Sequence, residues 1–225
     1  MWLKNASPKE IMASKILSEK VEKVRQFRLS SKAKTTNGYA KVPQLFAQIT
    51  QPDDVDFLII PSVSSERRRY VPIGFATRDI ISSNAVQIVP NASLYHFGVL
   101  TSNVHMAWMR AVCGRLKSDY RYSKEIVYNT FPWPKPTEEQ KNKIEQTAQV
   151  ILNARKQYSD CSLADMYGEK MYLFPELVKA HRLNDMAVME AYGFAKGSEA
   201  YRNEAACVAE LMKLYQKKVE EIENR

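Results

Sequence analysis

Residues 114–134 read GRLKSDYRYSKEIVYNTFPWP, and this stretch separates two parts of the chain. Cations, acids and tyrosines alternate along it, a mixture that is too charged for a core and too aromatic for an ordinary solvated loop. Pro132, Pro134 and Pro136 then end the alternating pattern. Because proline is a strong breaker of regular structure, we place a domain boundary near Pro134.

The part before this boundary has a β-rich centre. From Phe57 to Pro90 the runs FLIIP, YVPIGF and AVQIVP are short, β-branched or aromatic, and bounded by Pro, Ser, Asn and Asp. Such runs are typical of strands and turns. Helical spacing occurs on both sides, at about 8–30 after a capping box that begins at Ser7, and again from Met106 to Cys113. Residues 1–134 are therefore predicted to form a mixed α/β domain.

The part after the boundary has helical periodicity. Thr137 and Gln140 have capping-box spacing, and Ile144, Ala148 and Ile151 would face inward on a helix that ends near residue 157. Helical patterns recur at about 162–167, 176–192 and 199–223. We predict a small helical bundle over residues 135–225, and an α+β fold for the whole chain.

The positive charge is concentrated in the first part. The formal net charge is +8, with 19 Lys/Arg against 10 Asp/Glu in residues 1–134 and 14 against 15 in residues 135–225. An excess confined to one part of a chain is typical of a polyanion-binding surface. On charge alone, a non-sequence-specific nucleic-acid-binding domain and a protein–protein interaction module remain alternatives.

The sequence lacks the common catalytic motifs. Its seven glycines never occur as GxG, and there is no GxSxG, HExxH or CxxC. The three cysteines are widely spaced and predict free thiols, so we predict neither a metal site nor catalytic residues. The run NTFPWP from Asn129 has the wrong order for the Asn/Asp-Pro-Pro-aromatic motif that binds a target amine. One part of the sequence partly resembles the PD…ExK motif of a nuclease metal site, but Arg68 stands where the motif needs a lysine. We therefore interpret these charged residues as ordinary loop residues.

No run of 18 apolar residues and no signal peptide is present, so we expect no membrane span and, by default, a cytoplasmic location.

Several long strings resemble one enzyme family. SSERRRYVPIGF from Ser64, LYHFGVLTSNVHMAWMRAVCGR from Leu94 and YRYSKEIVYNTFPWP from Tyr120 are similar to the target recognition domain of single-chain, adenine-specific DNA methyltransferases of the type IIL restriction-modification group. SLADMY from Ser162 and LVKAHRLNDMAVMEAYGF from Leu177 resemble the helical domain that follows it.

The resemblance implies a function and partners. Such a chain recognises a sequence in double-stranded DNA and positions the target adenine for a methyltransferase domain, which the family places upstream. No cofactor is expected in this chain. S-adenosylmethionine, and Mg²⁺ where a nuclease domain exists, belong to the parent enzyme. The helical part is expected to give mainly support.

Candidate contacts to the DNA backbone are cationic or aromatic residues. Arg67, Arg68 and Arg69 follow two serines in a predicted turn, a placement that suits phosphate binding. The other candidates for backbone contact are Arg78, Arg115, Tyr120, Arg121 and Tyr122. Other aromatic residues have apolar neighbours, and we predict packing roles for His96, His105, Trp108, Tyr128, Phe131 and Trp133.

Lys117 and Asp119 are the main candidates for base readout. In an extended segment, side chains two residues apart project from one face. Lys117 would donate to guanine and Asp119 would accept from cytosine, reading one G·C pair in one orientation. In the resembled family the matching positions read the base pair beside the modified adenine. Asn84 and Ala85 match a region that faces bases in that family.

Overall fold

The structure is a computed structural model that describes residues 1–224, and it divides into two compact units. The first unit is Met1–Pro52 and the second begins at Asp53. The first unit is helical. Its elements are α1 (Pro8–Ala13), α2 (Lys15–Leu29), α3 (Lys34–Gly38) and a 3-10 turn at Tyr39–Lys41.

The helix predicted over residues 8–30 is interrupted at Ser14. The predicted capping box at Ser7 is confirmed, because Ser7 Oγ accepts from the Glu10 N–H and Glu10 accepts from the Ser7 N–H. Ser14 then adopts an extended backbone and its Oγ accepts from the N–H of Leu17, so α2 begins with its own cap. Neither helix has a buried residue, and Phe27 on α2 is 71% exposed.

The second unit contains two three-stranded antiparallel sheets. The first sheet has the order β3-β1-β4 and the second has the order β2-β6-β5. This confirms the β-rich centre of a mixed α+β fold. In chain order, the strands are β1 (Phe57–Pro61), β2 (Val63–Ser64), β3 (Gly74–Ala76), β4 (Val86–Pro90), β5 (Gly114–Leu116) and β6 (Asp119–Arg121).

Ser62 connects the two sheets. Its N–H donates to the Ala85 carbonyl at 2.9 Å, and its carbonyl accepts from the N–H of Tyr122 at 2.9 Å. The chain therefore passes from β1 to β2 without a loop, and the beginning of β4 lies beside the end of β6.

Helices make up the rest of the second unit. α6 begins at the capping box predicted at Thr137, and Ile144, Ala148 and Ile151 are fully buried, as predicted. The helix predicted over residues 199–223 is interrupted at Asn203, which caps the last helix. The helices are α4 (Leu94–Leu100), α5 (Asn103–Val112), a π-helical turn at Lys124–Tyr128, α6 (Glu138–Lys156), α7 (Leu163–Met166), a 3-10 turn at Met171–Leu173, α8 (Pro175–Ala191), α9 (Glu199–Arg202) and α10 (Glu204–Glu223).

Residues on both sides of Pro134 share one hydrophobic core. Trp108 and His105 are buried within it, which confirms their predicted packing roles, and the Phe131 ring packs edge-on against His105. His96 is half-buried and caps α4 through its Nδ1. Tyr128 and Trp133 pack against the core near the boundary, as predicted.

Buried polar groups cross the same boundary. Arg155 on α6 donates to the Ile73 carbonyl at 2.7 Å and to the Tyr167 hydroxyl at 2.6 Å. The Tyr70 hydroxyl donates to Asp185 on α8 at 2.6 Å. Burial raises the pKa of Asp185 to about 6, against the lowering effect of this hydrogen bond. The β-rich part and the C-terminal helices are therefore held together by specific contacts.

Within residues 1–224, no helix has both the length and the apolar character that crossing a membrane requires.

Candidate nucleic-acid interface

The opening stretch of the sequence begins with a β-hairpin. β5 and β6 pair so that Leu116 lies opposite Asp119, and Lys117 and Ser118 form the turn between them. Lys117 has a left-handed backbone with φ of 57°. The Arg115 guanidinium lies 4.1 Å from the centroid of the Tyr120 ring and donates to the Ser118 carbonyl at 2.9 Å, which fixes the hairpin end.

The extended segment predicted around Lys117 is therefore wrong. Lys117 lies in the turn and Asp119 begins the returning strand, so the alternation rule for side chains does not apply to this pair. The hairpin nevertheless places both residues at the same end. Lys117 is exposed and Asp119 is half-buried.

The loop that carries three consecutive arginines lies beside this hairpin. We call residues 65–69 the arginine loop. It follows β2, and β2 pairs with β6 so that Ser64 lies opposite Tyr120. The N–H of Glu66 donates to Asp119 Oδ1 at 3.3 Å. One backbone group of the arginine loop thus holds the carboxylate that was predicted to read a base.

The arginines of the loop differ in their surroundings. Arg67 forms an exposed ion pair with Glu169, with 2.6 Å between Nη1 and Oε1. Arg69 places its guanidinium 5.5 Å from the centroid of the Tyr70 ring and accepts at its carbonyl from Arg110. Arg68 is half-buried, and its N–H donates to the Ser65 carbonyl, which confirms the predicted turn.

Alternation along β6 separates an inner face from an outer face. Tyr120, which was predicted to contact the DNA backbone, instead points inward and is largely buried, with Arg115 covering its ring. Asp119 and Arg121 point to the opposite face, where Leu116 is exposed beside them. The outer face of the hairpin therefore presents an acceptor, a cation and an apolar side chain to solvent.

Tyr122 is a core residue and not a phosphate contact. Its side chain is 3% exposed, and its hydroxyl lies 3.0 Å from Nε2 of His105. Burial lowers the pKa of His105 to about 3, so that imidazole is neutral at physiological pH. Burial also raises the pKa of the Tyr122 phenol. A neutral His–Tyr pair inside the core supports the end of β6.

The remaining predicted residues fall in two places. Asn84 and Ala85 are exposed and precede β4, and the hydrogen bond between Ala85 and Ser62 places them beside the end of β6. Arg78 lies at the other end of the first sheet, where its N–H donates to Asp56 Oδ1 at 3.0 Å. The two ends of the first sheet are separated by the length of β1, which is about 14 Å at about 3.4 Å per residue. Arg78 is therefore not part of the same cluster.

Sequence reasoning missed two features of this surface. The hydrogen bond from Glu66 to Asp119 joins residues 53 positions apart, and no local pattern signals it. Lys179 and Arg182 on α8 line a cavity with Arg67 and Arg69. Their spacing of three residues on a predicted helix was visible in the sequence, but the near-neutral charge of the second part concealed it.

No group of three or more His, Cys, Asp or Glu side chains within residues 1–224 has the arrangement of a metal site.

The candidate surface thus consists of a hairpin and an arginine-rich loop of an α+β domain, with helices packed against them. Comparison with known proteins shows the class to which this domain belongs. Residues 1–135 match the family of the MmeI target recognition domain, and residues 136–223 match the family of the MmeI C-terminal domain. The chain belongs to the MmeI target recognition domain family and carries the C-terminal domain of the same enzymes.

Two relatives support this assignment. The chain is 45% identical to a solved structure of the type IIL restriction-modification enzyme MmeI in complex with DNA, with a TM-score of 0.91, over 97% of this chain and 28% of that chain. It is 35% identical over 220 residues to DNA methyltransferase A of Bacillus subtilis (strain 168), over 98% of this chain and 24% of the relative. The chain thus spans about a quarter of the length of each.

Proposed function

We propose that this chain supplies sequence recognition of double-stranded DNA to a restriction-modification enzyme whose methyltransferase domain uses S-adenosylmethionine to modify adenine. The observation that carries the proposal is the junction of the hairpin with the arginine loop. It presents base-reading chemistry and phosphate-binding chemistry side by side. The likeness to MmeI, solved in complex with DNA, supports the same role.

Lys117 and Asp119 would read one base pair. The Lys117 ammonium is a donor only and suits guanine O6 and N7, whereas the Asp119 carboxylate is an acceptor and suits the N4 amino group of cytosine. The hydrogen bond from Glu66 uses one lone pair of Asp119 Oδ1 and leaves the other acceptor positions available. The arginine loop would therefore orient the Asp119 carboxylate without using all of its hydrogen-bond acceptor positions.

The exposed cations around this pair would bind phosphates. Arg115 and Arg121 lie on the hairpin strands, Arg67 and Arg69 are exposed on the arginine loop, and half-buried Arg68 lies between them. Contacts of this kind supply affinity and register but carry no sequence information. Asn84 and Ala85 would extend base contact from the neighbouring end of β4.

The N-terminal unit offers a surface for the methyltransferase domain. Met12 on α1 and Ile16 and Phe27 on α2 are all about 70% exposed, and no residue of either helix is buried. A series of exposed apolar side chains on helices is typical of a protein interface. Because the relatives are about four times as long as this chain, we propose that this face packs against the methyltransferase domain of a longer polypeptide.

Exchanging the charges of the reading pair tests the proposal. In the variant Lys117→Glu with Asp119→Arg, the preferred base at one position should change from G to C, with discrimination of about 1–3 kcal/mol in either protein. The measurement is a selection from randomised duplexes with both proteins. The matched control is Lys124→Glu with Glu125→Arg, an exposed neighbouring pair whose exchange also conserves the net charge.

The outcomes separate the candidate functions. A switch at one position only, absent from the control, supports readout by this pair. An unchanged preferred base assigns the hairpin to backbone contact. Selection without any enriched sequence would support the alternative of a non-sequence-specific binder.

A further inference from the structure

A cleft lies between the arginine loop and α8. Its volume is about 490 Å³, and four cationic side chains line it: Arg67 and Arg69 from the loop, and Lys179 and Arg182 from α8. Among the described residues that line the cleft, Glu169 supplies the one carboxylate. The cleft is thus a concave surface with an excess of positive charge.

The α8 wall of the cleft is cationic because of helical spacing. Lys179 and Arg182 are three residues apart and therefore lie on one face, while Leu177, Ala180 and His181 point into the core. Neither cation forms an ion pair with another described residue. Their charge is therefore available to a ligand.

Buried contacts fix the two walls relative to each other. The Tyr70 ring, next to Arg69, stacks on His181 of α8 with ring centroids 4.1 Å apart. The Tyr70 hydroxyl also donates to Asp185, one helical turn further along α8. The loop and the helix that carry the four cations are therefore held in place before any ligand arrives, and preorganisation of this kind lowers the cost of binding.

The ion pair inside the cleft is replaceable. Arg67 and Glu169 are 2.6 Å apart, but their side chains are 70% and 60% exposed. Exposed pairs of this kind contribute little to stability. A phosphate that enters the cleft can take the place of the carboxylate on Arg67.

We propose that this cleft binds phosphates of the DNA backbone outside the bases that the hairpin reads, with Lys179 and Arg182 as contacts from the helical region. Guanidinium and ammonium groups both form strong charge-assisted hydrogen bonds with phosphate oxygens. Tyr172 at the rim is 70% exposed and adds a surface for the sugar. The inference rests on the proposed function and gives the helices a part in DNA affinity, beyond the mainly supporting role that the sequence predicts.

Neutralising the α8 wall tests the inference in the full chain. In Lys179→Gln with Arg182→Gln, the slope of log K against log salt should become shallower by about 1–2, since each phosphate contact contributes about 0.9. Affinity should fall equally for a duplex enriched by selection and for a scrambled duplex. The matched control is Lys213→Gln with Lys217→Gln on α10, which removes the same charge away from the cleft.

A second variant has the opposite expected sign. Glu169→Gln releases Arg67 from its carboxylate, so DNA binding should become tighter and its salt dependence steeper by up to about 0.9. General loss of stability cannot produce this result.

Different measurements would contradict the binding of phosphates in the cleft and the proposed function. An unchanged slope in the α8 variant, or one that equals the α10 control, overturns the inference while the enriched duplex is still preferred. If the unaltered chain shows no preference between the two duplexes, the proposed function itself fails.

Discussion

A substitution at Lys117 allows the effect of its backbone conformation on stability to be measured separately from the effect of its side chain on base preference. Its φ of 57° is left-handed, which costs a residue with a Cβ about 1–2 kcal/mol. Glycine removes that cost but adds about 0.5–1 kcal/mol of backbone entropy. In Lys117→Gly, we therefore expect the free energy of unfolding to stay unchanged or rise by up to about 1.5 kcal/mol, while base preference at one position disappears. Urea unfolding and selection from randomised duplexes measure the two effects.

Asn91 provides the control for Lys117. It has φ of 54° and lies outside the hairpin, so Asn91→Gly changes the same backbone property without removing a proposed reader. Its base preferences should match those of the unaltered chain. If Lys117→Gly keeps its preference, Lys117 is not a reader; if it is strongly destabilised, the lysine side chain has a structural role.

At the scale of elements, Gly98 allows α4 to approach α6 and α8. A Cβ at this position would lie 2.7 Å from Ile144 Cγ2 and 3.0 Å from Asn184 Oδ1. Asn184 also donates to the Gly98 carbonyl at 2.7 Å, so the two helices have little room to separate. Gly98→Ala should lower the free energy of unfolding by about 1–3 kcal/mol, measured by urea denaturation.

Gly114 is the matched glycine for this comparison. Its added Cβ would meet no heavy atom within 4 Å, so Gly114→Ala should leave stability unchanged or raise it by up to about 1 kcal/mol. Equal losses at both positions would show that close packing at Gly98 is not what constrains α4.

The predictable elements are those with local signals. α6 follows from the capping box at Thr137 and from the spacing of its apolar residues, both of which are visible in sequence. The breaks at Ser14 and Asn203 were missed because helical periodicity continues on both sides of each residue. Both are good N-cap types, and that property decides the local structure.

The candidate site was predictable in composition but not in geometry. The arginine loop and the hairpin residues are conspicuous in sequence, whereas the turn at Lys117 lacks the Asn-Gly or Gly signal of a tight hairpin. Tyr122 alternates with polar residues like a surface residue, yet it pairs with buried His105. A contact with a residue 17 positions away in the chain decides the position of Tyr122.

At the scale of the whole second unit, the β-rich part that carries the proposed reading surface and the helices after Pro134 form one packed structure. Arg155 joins α6 to the segment before β3, and Asp185 joins α8 to the segment after the arginine loop. The helices that follow Pro134 therefore set the position of the proposed reading surface. The two matching families meet at residues 135 and 136, next to Pro134. The buried side chains on both sides of this boundary nevertheless form one core.

The proposed function requires that this chain distinguishes one DNA sequence from others. The most direct measurement compares its affinity, at one fixed salt concentration, for a duplex enriched by selection and for a scrambled duplex of the same length and composition. We predict that the enriched duplex binds about fivefold or more tightly, because even one base pair read by a side chain contributes about 1–3 kcal/mol. Equal affinities for the two duplexes would contradict it.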